Sequence, residues 1–272
     1  MMKYNTALTI AGSDPSGGAG LQADLKTFSA LGVYGATAVV AVVDENTTGV
    51  YGVHPIPESF VAGQIRSVLT DIGADAVKIG MLHSSELIRT VLATLRDFPD
   101  VRNIVLDPVM VATSGDPLLE ADAVGTLRDE LIPYSRVITP NLPEASLLLG
   151  ETVCHQDQFE DAARALSGIG GGNVSVMLKA GHIENTDIIV DIFYNAETDS
   201  FLRLPSQKVE TVNTHGTGCT LSSAIAAWLA KGTDLNTAAR LGKKYIASAI
   251  IAGADYKIGT GHGPVHHFYS LW

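Results

Sequence analysis

Short apolar runs alternate with amphipathic stretches along almost the whole chain, and this alternation predicts strands and helices in turn. Ala7–Ala11 (ALTIA) is a short apolar strand, followed by a Gly-rich loop and a helix over Leu21–Leu31. Ala36–Val43 (ATAVVAVV) is apolar on both faces and predicts one fully buried strand. A helix at Glu58–Ile72 leads to the strand Ala76–Ile79, and a helix near Ser85–Arg96 leads to Ile104–Leu106. A helix near Ala121–Leu131 precedes the strand Val137–Thr139, and helical stretches within Pro143–Leu149 and Gln158–Ser167 precede a buried strand at Val174–Leu178. Ile188–Tyr194 and Phe201–Leu204 read as a hairpin-like pair around the turn residues Asn195–Asp199. Two long helices follow, Thr217–Ala230 and Leu235–Ala252.

Repeated strand–helix–strand units predict an α/β fold with a mainly parallel central sheet and helices on both faces. No Ser/Pro/Gly-rich linker divides the chain and no fixed-period repeat is visible, so residues 1–272 are expected to form one domain. In open sheets of this kind, ligands bind outside the carboxyl ends of the strands. The loops that follow strands are therefore where chemistry is to be sought.

Composition narrows the function. Apolar residues make up 46% and charged residues 17%, which excludes a disordered or fibrous chain. The longest purely apolar runs, Ala38–Val43 and Ala224–Leu229, fall far short of the roughly 20 residues of a spanning helix. The start MMKYNTALTIAGSD lacks an apolar signal core, so a soluble cytoplasmic protein is expected. A net charge of −11 with no Lys/Arg block argues against a nucleic-acid surface. Two cysteines, Cys154 and Cys219, make no disulfide framework. His262 and His266 are interrupted by Gly263 and Pro264 and do not read as a metal pair.

Two Gly-rich segments stand out. Gly12–Gly20 lies between a strand and a helix but lacks the Walker lysine. A flexible turn, a small-ligand loop and a loose dinucleotide loop all remain open for it. His215-Gly-Thr-Gly-Cys219 runs from a loop into an apolar helix, where converging backbone N–H groups suit a phosphate and the charge of a transferring phosphoryl group. Cys219, in the first turn, is either a thiol whose thiolate the helix N-terminus favours or a small packing residue. Asp107 and Glu144 follow strands, and their hard oxygens suit a Mg²⁺–nucleotide site, although either also reads as a cap or a loop acid. Lys179 closes an apolar strand and can meet a phosphate as a point charge.

Seven segments taken together are more specific: ALTIAGSDPSGGAGLQADLKTFSALG, KIGM (Lys78–Met81), Asp107-Pro-Val-Met110, ITPNLPEA (Ile138–Ala145), KAGH (Lys179–His182), NTHGTGCT and GPVHHF. In order, and over essentially the whole chain, they resemble the hydroxymethylpyrimidine/phosphomethylpyrimidine kinases of thiamine biosynthesis. The resemblance implies a ribokinase-like fold and two MgATP-dependent transfers. The first goes to the hydroxymethyl group of 4-amino-5-hydroxymethyl-2-methylpyrimidine, the second to the resulting monophosphate. It also implies that Gly216, Thr217, Gly218 and Cys219 form an anion hole for the γ-phosphate, with Cys219 where the wider family generally has an Asp base. Asp107 and Glu144 would act around Mg²⁺, and Lys179 would contact ATP phosphates. The pyrimidine would lie near Gly12, Asp24, Val43, Met81 and Val109. One departure concerns Glu45, which occupies a position usually held by Gln, so recognition of the ring is expected to differ there. Similar proteins are often homodimers, though no interface stripe is visible in the sequence. A pyridoxal-type kinase, a pyrimidine-binding sensor without turnover and a dinucleotide oxidoreductase are the alternatives.

Overall fold

The computed structural model of the chain describes residues 3–110, 118–120, 122–181, 183 and 186–272. In chain order the first elements are β1 (Thr6–Ala11), α1 (Gly20–Ala30), β2 (Tyr34–Val39), β3 (Ala41–Asn46), β4 (Gly49–Pro55) and α2 (Glu58–Asp71). The middle comprises β5 (Ala76–Ile79), α3 (Ser85–Arg96), β6 (Ile104–Leu106), α4 (Ala123–Thr126), β7 (Val137–Ile138) and α5 (Leu142–Leu149). Last come α6 (Phe159–Ser167), β8 (Ser175–Leu178), β9 (Ile188–Asn195), β10 (Ser200–Gln207), α7 (Thr217–Ala230) and α8 (Leu235–Gly253).

Eight strands form one sheet in the order β10-β9-β8-β7-β6-β5-β1-β2. From β2 across to β8 all pairs are parallel, and β9 and β10 close that edge antiparallel. The alternation of side chains divides the core. Leu8, Ile10, Val77, Ile79, Ile104, Leu106, Ile138 and Val176 face a layer built with α2, α3, α5 and α6. Ala7, Ala76, Val105, Val137, Met177 and Phe193 face the opposite layer, built with α7 and α8. Helices on both faces of a mainly parallel sheet are thus what the pattern predicts, because each strand is apolar at odd and even positions alike. Among the described residues no helix is long and apolar enough to cross a membrane.

Three expectations need correction. Ala36–Val43 is not one strand: β2 ends at Val39, the chain leaves the main sheet at Val40, and β3 pairs antiparallel with β4 in a separate two-stranded sheet. Val40 is the pivot, donating to Ala11 O while its carbonyl accepts from Ile56 N. Beyond it the chain is buried on one side only, and Val42 is 52% exposed. β4 itself went unpredicted, since GVYGVHP carries two glycines and is largely exposed. The helix near Ala121–Leu131 starts with Ala121 outside the described residues; within them it is one α turn, Ala123–Thr126, continuing as a π turn over Leu127–Leu131.

The strand order reverses at β1, with β2 on one side and β5 on the other, so the carboxyl edge there opens a crevice. Ladder hydrogen bonds run one residue past several strands into this edge. Gly80 N donates to Ile10 O, Asp107 N to Ile79 O, Thr139 N to Leu106 O and Lys179 N to Pro140 O. The residues that follow the strands are thereby tied into the ladder.

Candidate active site

A cavity of about 750 Å³ lies along this edge. Its wall includes Gly12 after β1, Lys78 and Met81 on and after β5, Asp107 and Val109 after β6, and Glu144 on α5. Lys179 after β8 and the Gly216–Cys219 turn before and within α7 complete it. Every sequence-named site residue except Asp24 reaches this wall.

The two Gly-rich segments meet each other. Asp14 is fully buried in the first of them; its Oδ1 accepts from Ser16 N (2.7 Å) and its Oδ2 from Gly18 N (2.9 Å) and Ala19 N (2.6 Å). His215 Nε2 lies 2.8 Å from the same Oδ2 and donates to it, since an ionised carboxylate only accepts. Burial pushes Asp14 up, but the His215, Ser16 and Ala19 hydrogen bonds and the His215 charge outweigh it and hold the carboxyl far below the usual range. Gly216 then caps α7 with φ +76°, and a Cβ there would sit 1.8 Å from Gly18 O. Only glycine allows the two loops to touch in this way. The first-turn N–H groups of Gly218 and Cys219 have no acceptor one turn earlier in the helix and are available to an anion. Gly218 has a second reason to lack a side chain: its Cβ would lie 3.1 Å from Lys179 Nζ and 3.2 Å from Asp107 Oδ2.

Behind that turn lies a charged cluster. Lys179 Nζ donates to Asp107 Oδ1 at 2.9 Å and lies 3.9 Å from Glu144 Oε2. Thr139 Oγ1 donates to Asp107 Oδ1 (2.8 Å), and Ser222 Oγ on α7 is 3.5 Å from Oδ2. Burial raises Asp107, but the charges of Lys179 and Lys78 and the hydrogen bonds from Lys179 and Thr139 hold it below the usual carboxylate range. Glu144 behaves oppositely: burial and the Asp107 charge push it up to about 7 despite Lys179 and the Asn141 amide. Its backbone role is also clear, because with Asn141 it forms the capping box of α5. The loop-acid and cap readings of Glu144 therefore coexist with its place in the cavity wall.

Asp24 sits elsewhere. It is fully buried on α1, where its carboxylate meets Lys78 Nζ (2.9 Å), Thr9 Oγ1 (2.6 Å) and Ser223 Oγ (2.7 Å). It therefore cannot touch a ligand directly; Lys78, its partner, lines the cavity instead. Burial disfavours the Lys78 ammonium, yet the charges of Asp24, Cys219 and Asp107 raise its pKa overall. Sequence reasoning missed Lys78, although a lysine inside the otherwise apolar AVKI strand is itself a signal, since lysine is almost never fully buried unless paired. The Cys219 thiol is pushed up to about 11, first by burial and then by Asp24 and Asp107, although Lys78 and the Gly20 N–H pull it down. Of the two readings of Cys219, helix-terminus activation of the thiol is outweighed by desolvation.

At the other end of the cavity, Gly12, Val43, Met81 and Val109 make an apolar slot, and Glu45 of β3 supplies its polar group. A Cβ on Gly12 would lie 2.7 Å from Met81 Cε and 3.6 Å from Val43 Cγ2, so the slot is narrow at its floor. Burial and the Asp14 charge push Glu45 up to about 7, against the pull of His215. Glu45 and Glu144 both have folded values above their unfolded ones. Each contributes stability that is fully present below about pH 4.5 and is lost as pH rises through about 7. The melting temperature of the ligand-free protein should therefore fall between pH 4.5 and 7. Glu45→Gln and Glu144→Gln should each flatten the slope, which differential scanning calorimetry at several pH values would read.

With this strand order and a cavity along the carboxyl edge, the chain stands among the ribokinase-like small-molecule kinases. The model of the phosphomethylpyrimidine kinase family matches residues 14–266, and the chain belongs to that family. It is 48% identical over 266 residues to the hydroxymethylpyrimidine/phosphomethylpyrimidine kinase of Rhizobium meliloti, covering 98% of each chain. Among solved structures, it is similar to Bacillus subtilis pyridoxal kinase in an ADP complex, with 37% identity, a TM-score of 0.87 and coverage of 97% and 98%. The phosphomethylpyrimidine kinase of Clostridium difficile is 39% identical with a TM-score of 0.78, over 90% of this chain and 99% of that one.

Proposed function

We propose that the chain uses ATP to phosphorylate 4-amino-5-hydroxymethyl-2-methylpyrimidine on its hydroxymethyl group, and then phosphorylates the monophosphate to the diphosphate, in the cytoplasm. The observation that carries this reading is the meeting, in one cavity, of the Gly216–Cys219 amides, the Asp107–Lys179 pair and the apolar slot. Catalysis is by positioning and charge stabilisation of an in-line transfer. The Gly218 and Cys219 N–H groups face the charge that develops on the transferred group. Lys179, held by Asp107, meets the nucleotide phosphates, and the slot presents the substrate hydroxyl beside Cys219. Asp107 and Glu144 are hard oxygen donors on one wall and fit Mg²⁺, which when bound neutralises charge on the phosphate oxygens.

A thiol that keeps its proton up to about pH 11 is a poor general base at neutral pH, so Cys219 is assigned the role of shaping the anion hole. Turnover of Cys219→Ala is expected to stay within about tenfold of wild type. A loss of about 10²-fold or more, with KM unchanged, would restore the base role.

The function itself is tested by ADP release with MgATP and either the pyrimidine or pyridoxal, with product masses measured alongside. Two successive phosphate additions to the pyrimidine are expected. Pyridoxal is the second reading, favoured by the likeness to the B. subtilis pyridoxal kinase. Turnover of pyridoxal alone would move the substrate while keeping the site, and ligand binding without ADP release would leave a sensor.

A further inference from the structure

Resting on the phosphoryl-transfer reading above, we propose that His267 is a positioning residue for the reaction. Through Thr220 it fixes the Gly216 carbonyl, and with it the aim of the Gly218 and Cys219 amides. The GPVHHF segment, Gly263–Phe268, lines no part of the cavity. It packs instead behind the turn that leads into α7. His215 N donates to Gly263 O (3.0 Å), Pro264 bridges His215, and the His267 ring reaches Thr220 in the first turns of the helix.

The turn's own residues explain why it needs a brace. Gly216 and Gly218 have no side chains to hold their peptide planes, and glycine has more backbone freedom than any other residue. The turn is held at Gly216 O, which accepts from Thr220 N (2.9 Å) and from Thr220 Oγ1 (2.8 Å). A peptide unit is planar, so fixing this oxygen also sets the direction of the Thr217 N–H. The Gly218 and Cys219 N–H groups follow in the same turn.

Thr220 has one hydroxyl proton, and it goes to Gly216 O. Toward His267 the Thr220 oxygen is therefore an acceptor, and His267 Nε2, 3.0 Å away, supplies the N–H. Both side chains are buried, so neither has water as an alternative partner. Burial, then the charges of Lys26 and His266, push His267 down to about 4, so near neutral pH the ring is uncharged and carries one N–H. The ring is also held from behind. Tyr245 Oη donates to His267 O (2.6 Å) and His266 N to Ala249 O (3.0 Å), both partners lying on α8. The relay thus runs from α8 through the C-terminal segment to Thr220 and the Gly216 carbonyl.

The test compares His267→Met with His267→Gln, side chains of similar length of which only Gln keeps an N–H donor near the place of Nε2. His267→Met should lower kcat by about 10–10²-fold, the scale of loss that a misplacement of about 1 Å causes, with little change in KM for ATP or the pyrimidine. His267→Gln should restore most of that loss. Thr220→Val should match His267→Met, and the double variant should be no slower than either single, because both cut one relay. A second readout needs no turnover. In a nitrogen–proton NMR correlation spectrum, the Gly218 and Cys219 amide resonances should move in His267→Met and Thr220→Val and stay near their wild-type positions in His267→Gln. A merely structural role would lower the melting temperature and leave kcat of the folded protein unchanged. Equal kcat for His267→Met and His267→Gln, or unmoved Gly218 and Cys219 resonances in His267→Met, overturns the proposal. Where His267→Met does not fold, Thr220→Val against Thr220→Ser gives the same decision. No ADP release by wild type with either ring overturns instead the transfer reading beneath it, and the amide resonances still decide the relay.

Discussion

Asp107→Asn should lower kcat by about 10²–10³-fold while leaving the protein folded. The side chain keeps its shape, so Thr139 can still donate to it, but the charge that holds Lys179 at 2.9 Å is gone. Among the described residues Lys179 then keeps one anionic neighbour, Glu144, at 3.9 Å. Part of what keeps the proton on Glu144 is the Asp107 charge, so its removal lets Glu144 ionise and pair with Lys179. The cluster regains neutrality by moving a proton, and the stability loss stays below the roughly 3–5 kcal/mol expected for an orphaned buried charge. On the proposed function the cost falls instead on catalysis, because Lys179 loses the partner that fixes its ammonium in the cavity wall and Asp107 loses the charge proposed to hold Mg²⁺. Steady-state kinetics and urea unfolding at pH 7 check both halves. A kcat within about tenfold of wild type, with stability unchanged, would remove Asp107 from the transfer site.

The same cluster shows what a sequence can and cannot disclose. Asp107, Glu144 and Lys179 were legible because each follows a short apolar strand, and a charge at such a place has a reason to be there. The α7 turn was legible because two glycines flanked by His215 and Cys219 lead into an apolar helix. Partnerships were not legible. Nothing in the chain says that Asp24 pairs with Lys78, 54 residues away, or that Asp14 meets His215, 201 residues away. These contacts exist because α1 and α7 pack against the same end of the sheet. The break at Val40 was hidden for a related reason. Ala36–Val39 and Ala41–Val43 are equally apolar and no glycine or proline separates them, so only the pairing partners reveal that they belong to different sheets. That break shapes the cavity, because it brings Val43 and Glu45 to its wall. The Cys219 titration was illegible too, since burial, not position in the helix, decides its direction.

The largest effect on stability is expected at Lys78. Its side chain and that of Asp24 are both 0% exposed, and Lys78→Met leaves the Asp24 carboxylate, among the described residues, with Thr9 and Ser223 as donors. Removing one partner of a buried pair costs about 3–5 kcal/mol, because the remaining charge is neither solvated nor neutralised. At about 2–4 °C per kcal/mol for a chain of this size, the melting temperature should fall by roughly 10 °C or more. The double variant Lys78→Met/Asp24→Asn removes both charges and should recover much of the loss, giving a coupling of about 2 kcal/mol or more in a double-mutant cycle. The pair also ties together four elements: Thr9 on β1, Asp24 on α1, Lys78 on β5 and Ser223 on α7. Ser223 lies one helical turn after Cys219, so this buried cluster fixes the rotation and height of α7, and with them the aim of its N-terminal amides. The double variant should therefore regain stability without regaining kcat. Recovery of both together would mean that the ion pair serves the fold alone, and single variants that unfold within about 1 kcal/mol of wild type would show that the pair is not needed even for that.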